Sequence, residues 1–381
     1  MSDTTLSVGS LHAEPGSTVR GTLRADLGTL TTDIPLTLVN GSRPGPRVVV
    51  TAGVHGGEFT PIDAVVRLAD RLDPREVHGQ LIICPVANPP AVYQGRLNIS
   101  PVDGVNINRV FPGDPDGGPT ERLAAWLFTN LIDGADVYID LHCGGIDQVL
   151  RDFVGYRLTG DPDLDKATAA LAGSFGIEDV ILGLTPEGGN SHAAAARRGI
   201  SAVLVEVGEL GRRDEATALR RVDGLLTALR HLGVLDQGHS ALAPTREWVW
   251  SGGVTAEATG LWYPAFSFDA DIIGEVTEGD LLGRIVDPVD GTEHPVHAPA
   301  DGRIFYGMHG LTVAPGKELA ALAVPGTPPW PQAPPHSEPP ASAPDPTSRI
   351  PAPRPPSTPL ALFPRPSAAH LPRPAPPGGT P

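Results

Sequence analysis

The 381-residue sequence predicts an α/β protein: a mixed, largely parallel sheet covered by helices on both faces, then a small barrel-like all-β unit and a proline-rich tail. Three observations carry this. Between about residues 45 and 240, β-branched apolar runs alternate with segments whose apolar residues recur at helical spacing, the pattern of helices packed on a sheet. From about Thr245 to Val324 the runs become short, punctuated by Gly, Pro and Asp, as in a small all-β unit. From Pro325 to Pro381 lie 22 of the chain's 43 prolines. A segment with so little apolar surface to bury is expected to be disordered. The boundaries are therefore 1–44 for an N-terminal β segment packed on an α/β domain, 45–240 for that domain, 241–324 for the β unit and 325–381 for the tail.

Residues 1 to about 45 read as short strands separated by turns. Val48–Glu58, VVVTAGVHGGE, is a buried strand that stops at Gly53 and delivers His55 and Glu58 in a glycine-rich turn. A helix is predicted from about Thr60, as N-cap, to Leu72, with Pro61 at its first position. Ile62, Val65, Val66, Ala69 and Leu72 form its core face. QLIICPV (80–86) is a second buried strand, and 88–118, rich in Gly, Pro and Asn, is an irregular stretch long enough to suggest function. A helix over about Thr120–Ile132 precedes the strand DVYIDL (136–141), which ends on His142. Helices near Asp163–Ser174, Ser191–Arg198 and Asp214–Leu232 flank the strands DVILGL and SAVLVEV (201–207).

The formal net charge of −16 argues against nucleic acid and anionic membrane as partners. Two cysteines, Cys84 and Cys143, imply no disulfide framework and favour a reducing, cytoplasmic setting. The first residues lack the basic and apolar segments of a signal peptide, and no apolar run is long enough to span a membrane.

Chemistry concentrates at strand ends. His55 and Glu58 offer an imidazole and a carboxylate where open α/β sheets place their active sites. Zinc takes such ligands and needs a third for a catalytic site. His142, again at a strand end, is the candidate; a core histidine is the alternative reading. Glu206 interrupts an otherwise apolar strand, and burying a carboxylate is costly unless it is paired or used. It suits a general base acting on metal-activated water, unless it faces solvent at an edge. In the loop DGVNINRVFPG, Asn106, Asn108 and Arg109 offer donors for a carboxylate, and Arg96 could polarise a carbonyl. Cys143 points away from His142 if the strand continues through it, and His192 lies near a helix start.

The order HGGE, NINR, DLH, EVG resembles the zinc carboxypeptidase superfamily in its succinylglutamate desuccinylase/aspartoacylase branch. SPVDGVNINRVFPG and YIDLHCGG are most similar to deacylases of N-acetylated amino acids such as those of ectoine catabolism, and the resemblance covers roughly residues 35–324. It implies a zinc-carboxypeptidase-like α/β/α sandwich and one Zn2+ per chain on His55, Glu58 and His142. It further implies that Glu206 is general base and proton shuttle, that Arg96 polarises the scissile carbonyl, and that Asn108 and Arg109 grip the substrate's carboxylate. The distance from Arg96 to Arg109 exceeds the family's shortest versions. The family also uses a tyrosine from the C-terminal domain, for which Tyr263 and Tyr306 are both candidates. VTEGDLLGRIVDP with HAPADGRIF resembles part of a lipoyl-type barrel, but VDPVDGT stands where a cofactor-bearing lysine would be.

The expected function is zinc-dependent hydrolysis of the amide of an N-acyl amino acid, with the small molecule as partner, a homo-oligomer as a possible assembly and the tail as a possible recruiter of proteins. A metallocarboxypeptidase acting on short peptides and a non-catalytic binding protein are the alternatives.

Overall fold

The computed structural model describes residues 4–95, 98–236, 244–265, 274–327 and 329. Arg96, and the tail from 330 onward that the sequence predicts to be disordered, lie outside the described residues.

In chain order the elements are β1 (Leu6–Val8), β2 (Leu11–Ala13), β3 (Ser17–Asp26), β4 (Thr31–Asn40), β5 (Arg43–Thr51), α1 (Phe59–Arg71), β6 (His78–Cys84), α2 (Pro89–Tyr93) and α3 (Pro119–Leu127). There follow β7 (Val137–His142), β8 (Gln148–Leu150), β9 (Phe153–Arg157), α4 (Pro162–Gly173), β10 (Asp179–Gly183), α5 (Ser191–Arg197), β11 (Ser201–Glu206) and α6 (Glu215–His231). The rest is strand: β12 (Arg246–Thr255), β13 (Gly260–Pro264), β14 (Glu275–Val276), β15 (Leu281–Val286), β16 (Glu293–His297), β17 (Gly302–Met308), β18 (Thr312–Val313) and β19 (Glu318–Pro325).

Among the described residues thirteen strands make one sheet, in the order β14-β17-β19-β12-β10-β9-β11-β7-β5-β6-β4-β3, with β8 beside β17. Its middle is parallel: β6, β5, β7 and β11 run together, and so do β9, β10 and β12. The two groups meet where β9 pairs antiparallel with β11, and both flanks are antiparallel. The expected mixed sheet is thus present, with parallel pairing confined to its centre.

Side-chain alternation on these central strands decides which helices pack where. Val49, Ile82, Tyr138 and Ala202 join one core with residues of α3 and α5. Their neighbours Val48, Val50, Leu81, Ile83, Val137, Ile139 and Val203 join the opposite core with residues of α1, α4 and α6. The strands are buried on both faces, hence their continuous apolar runs.

Three expectations need adjustment. Val66, read as part of the core face of α1, is 44% exposed. The N-terminal region is not built of short strands only: β3 and β4 are ten residues each, paired along their length at the sheet edge. Thr60 does not cap α1. The helix begins at Phe59, and the Thr60 hydroxyl donates to the Arg212 carbonyl at 2.6 Å. Glu58 occupies the cap position without a side-chain cap bond, because its carboxylate is engaged elsewhere. The β segments after residue 244 divide: β12, β14, β17 and β19 extend the main sheet, while β16-β15-β13-β18 form a separate antiparallel one.

Candidate active site

Three parallel strands end side by side and carry the polar cluster. On β7 and β11, His142 is in register with Glu206. On β5 and β7, Thr51 faces Asp140. The chain leaves β5 through Gly53, whose φ of +65° disfavours any side chain and where a Cβ would lie 3.1 Å from the Pro85 carbonyl oxygen. That turn drops His55 and Glu58 beside His142.

His55, Glu58 and His142 are all buried, and one ligand atom from each lies within 4.8 Å of the others. His55 Nδ1 is 2.7 Å from Glu58 Oε1, and His142 Nδ1 is 3.0 Å from Glu58 Oε2. That oxygen has no hydrogen-bond partner among the described residues. Both imidazoles are held from behind. His55 Nε2 donates to Asn106 Oδ1 at 3.1 Å, and His142 Nε2 to Asp140 Oδ2 at 2.9 Å. With each Nε2 proton spent on these partners, each Nδ1 is left facing Glu58, to carry a second proton or to bind a cation in its place. Asp140 in turn accepts from Thr51 Oγ1 at 2.6 Å and from the Ser191 hydroxyl.

The electrostatics favour a cation at this point. Burial drives the Glu58 carboxyl upward, but the adjoining imidazoles of His142 and His55 outweigh it and hold the group well below the usual range. Burial lowers His142, yet Asp140 and Glu58 raise it far above an ordinary histidine. Two buried carboxylates thus retain positive charge, which protons or a divalent ion can supply. Two imidazole nitrogens and one carboxylate, whose buried Oε2 accepts no hydrogen bond among the described residues, fit a metal such as zinc.

Glu206 is a different kind of carboxylate. It is 5% exposed, with Oε1 accepting from the Tyr306 hydroxyl at 2.8 Å and Oε2 without a hydrogen-bond partner among the described residues. Burial pushes it up to about 7, against the pull of His142. The same cavity, of about 340 Å3, is lined by His55, Glu58, Asn108, Arg109, Glu206 and Tyr306 among others.

The remaining sequence candidates separate. Asn108 is buried and braced: its Oδ1 accepts from Ser191 N at 2.9 Å, and its carbonyl accepts from Arg109 Nη1 at 2.9 Å. Tyr263 is not in this cavity; it is 43% exposed on β13, with Arg284 over its ring. Of the two tyrosines, the structure brings only Tyr306 to Glu206. Cys143 follows the end of β7 and lines the cavity, its thiol raised by burial. His192 also lines it, buried and pushed down to about 3 by burial and by Arg157.

Arg157 is the residue the sequence did not single out. It ends β9, a short strand interrupted by a glycine, lines the cavity and donates to Asn190 Oδ1 at 3.2 Å. Burial and the nearby Arg109 both lower its proton affinity, so two guanidinium groups share the pocket. Asp140 carried a readable signal, since it lies two residues before His142 on one strand and so points to the same face.

Residues 44–232 match the succinylglutamate desuccinylase/aspartoacylase catalytic domain. The N-alpha-acetyl-L-2,4-diaminobutyric acid deacetylase of Halomonas elongata is 30% identical over 299 residues, covering 76% of this chain and 85% of its own length. The chain belongs to the succinylglutamate desuccinylase/aspartoacylase family. Solved structures agree with this membership. A succinylglutamate desuccinylase/aspartoacylase from Rhodobacter sphaeroides superposes with a TM-score of 0.70 at 31% identity, over 81% of this chain and 96% of that one. The ectoine utilization protein EutE (DoeB) from Ruegeria pomeroyi, in a product-bound structure, gives 0.72 at 27% identity over 81% and 95%. Both alignments extend well past the catalytic-domain match at residue 232, so family likeness includes much of the β-rich C-terminal part. Among the described residues no helix is long and apolar enough to cross a membrane.

Proposed function

We propose that this protein hydrolyses the amide bond of a small N-acyl amino acid, with zinc held by His55, Glu58 and His142 and with Glu206 as general base. The observation that carries the reading is the register of Glu206 opposite His142, which sets a buried carboxylate of raised proton affinity beside the three-residue cluster. When bound, zinc supplies Lewis acidity towards the acyl carbonyl and makes water easier to deprotonate.

The chain's own groups do the rest. Glu206 accepts the proton of the attacking water and returns it to the leaving amine, a role suited to a group titrating near neutrality. The Tyr306 hydroxyl orients that carboxylate through Oε1. Arg109 and Arg157 receive the substrate's carboxylate, and Asn108 keeps the Arg109 backbone in place. Glu318, in the same lining, offers a carboxylate to a cationic side chain. The Halomonas elongata relative is named for an acetylated diamino acid, and a cavity of about 340 Å3 suits that class better than a peptide. Arg96 is proposed only as a further carbonyl-polarising group.

The test is Glu206→Gln assayed on N-acetyl, N-succinyl and N-formyl amino acids with zinc supplied. Turnover is expected to fall by roughly 100- to 10,000-fold with zinc content unchanged. A variant that retains near wild-type turnover removes Glu206 from the mechanism.

A further inference from the structure

A second cavity, of about 360 Å3, lies on the face of the sheet covered by α4 and α6. Its wall is largely apolar, with Leu141, Phe175, Ile177, Val205 and Val207, and Arg221 of α6 stands in it. Arg221 is 4% exposed. Its Nη2 donates to the His142 carbonyl oxygen, whereas Nε and Nη1 are buried with no partner among the described residues. Leaving a buried charged donor unpaired costs more than losing an ordinary hydrogen bond. The nearby acids are already engaged. Asp152 accepts from Gly208 N at 3.0 Å and pairs with Arg220 at 3.2 Å. Asp223 lies 3.6 Å from Arg71, with its side chain 74% exposed.

We infer that this cavity binds a small organic carboxylate with an apolar body. The anionic end accepts from the unused N–H groups of Arg221, and the body lies against Phe175, Ile177 and the two valines. The volume is within the range of small-molecule sites, and the apolar wall favours a monocarboxylate over a strongly hydrated phosphate. The Nη2 bond to His142 places the ligand one residue's backbone away from the catalytic cluster, on the opposite side of the strand ends from the substrate.

The experiment is calorimetric titration of the full chain with phenylacetate and, as its neutral counterpart, 2-phenylethanol. Phenylacetate is expected to bind at least tenfold more tightly than the alcohol. Arg221→Met should abolish that preference. Thr227→Phe, which fills the cavity from the partly exposed side of α6, should abolish binding of both probes and leave amide hydrolysis and the melting temperature unchanged. Equal affinities for acid and alcohol, or no measurable binding of either, would overturn the proposal. So would phenylacetate binding that survives Thr227→Phe, because the anion would then be on the arginines of the catalytic cavity.

Discussion

Glu58 and Glu206 are buried carboxylates a strand apart, and their surroundings drive them in opposite directions. Glu58 faces two imidazoles and is held anionic despite its burial, whereas burial, with the like charge of Glu58, raises Glu206 against the pull of His142 and the Tyr306 hydroxyl. Such divergence separates a ligand from a base. Glu206 must be ionised to accept a proton, so kcat/KM should be present above its pKa and lost as the pH falls through it, with an acid limb above the ordinary glutamate range of about 4.3. Tyr306→Phe removes the donor that favours the anion and should move that limb upward by about one unit. A pH–rate profile whose acid limb does not move would detach Tyr306 from the base. Behind the cluster, Asp140→Asn weakens the bond that orients His142 and should lower zinc affinity roughly 10- to 100-fold, read by competition with a chelator. The ligand candidates were legible because His142 ends an apolar strand and His55 and Glu58 lie in the glycine-rich turn just past another. Asp140 was legible by alternation, but Arg157 was not, since its strand, FVGYR, is five residues long and contains a glycine.

At the scale of elements, position in the cleft depends on how two loops dock. Phe111 N donates to the Gly189 carbonyl at 2.9 Å, Asn190 Nδ2 donates to the Asn108 carbonyl at 3.2 Å, and the Asn108 side chain accepts from Ser191 N at the start of α5. A Cβ on Gly189 would lie 1.8 Å from the Arg109 carbonyl oxygen, a backbone contact that no rotamer relieves. Gly189→Ala should therefore push the Arg109 turn outward, and a displacement of about 1 Å at a binding group can cost roughly 100-fold in rate. The loss is expected in KM more than in kcat, with zinc content intact; a variant with unchanged KM would show that this docking does not position Arg109 for the proposed substrate contact. Sequence reading located the 88–118 loop and the helices around it. It could not show that 188–191 braces that loop, because the two are far apart in the chain and nothing local marks their contact. The Thr60 cap failed for a related reason: a local helix-start signal was overridden by the tertiary use of Glu58.

Over the whole molecule, the question is whether the β-rich part after residue 244 could be removed. Strand β12 pairs in parallel with β10, and β19 and β17 continue the sheet from it. Phe153, between the catalytic strands and this extension, meets Trp250, Phe305 and Tyr306 edge-on with ring centroids 5.7, 5.7 and 5.9 Å away. Trp248 donates from Nε1 to the buried Asp179 at 2.7 Å. The change of sequence pattern near Thr245 marks a change in strand length and connection, and that is all local pattern can report; the pairing that joins β12 to β10 spans the entire helix α6 and is invisible to it. A chain ended at residue 240 would expose β10 as a bare edge, strip the aromatic cluster from Phe153 and leave Asp179 without its indole donor. These are long-range losses that the remaining helices cannot replace. That fragment is expected to show no cooperative thermal transition by circular dichroism and to aggregate on size-exclusion chromatography. A chain ended at Trp330, which keeps β19, should melt like the full chain and retain zinc. A 1–240 fragment that melted cooperatively and bound zinc would mean that the catalytic strands form a complete folding unit by themselves, and that the C-terminal strands contribute only Tyr306 and the cavity wall.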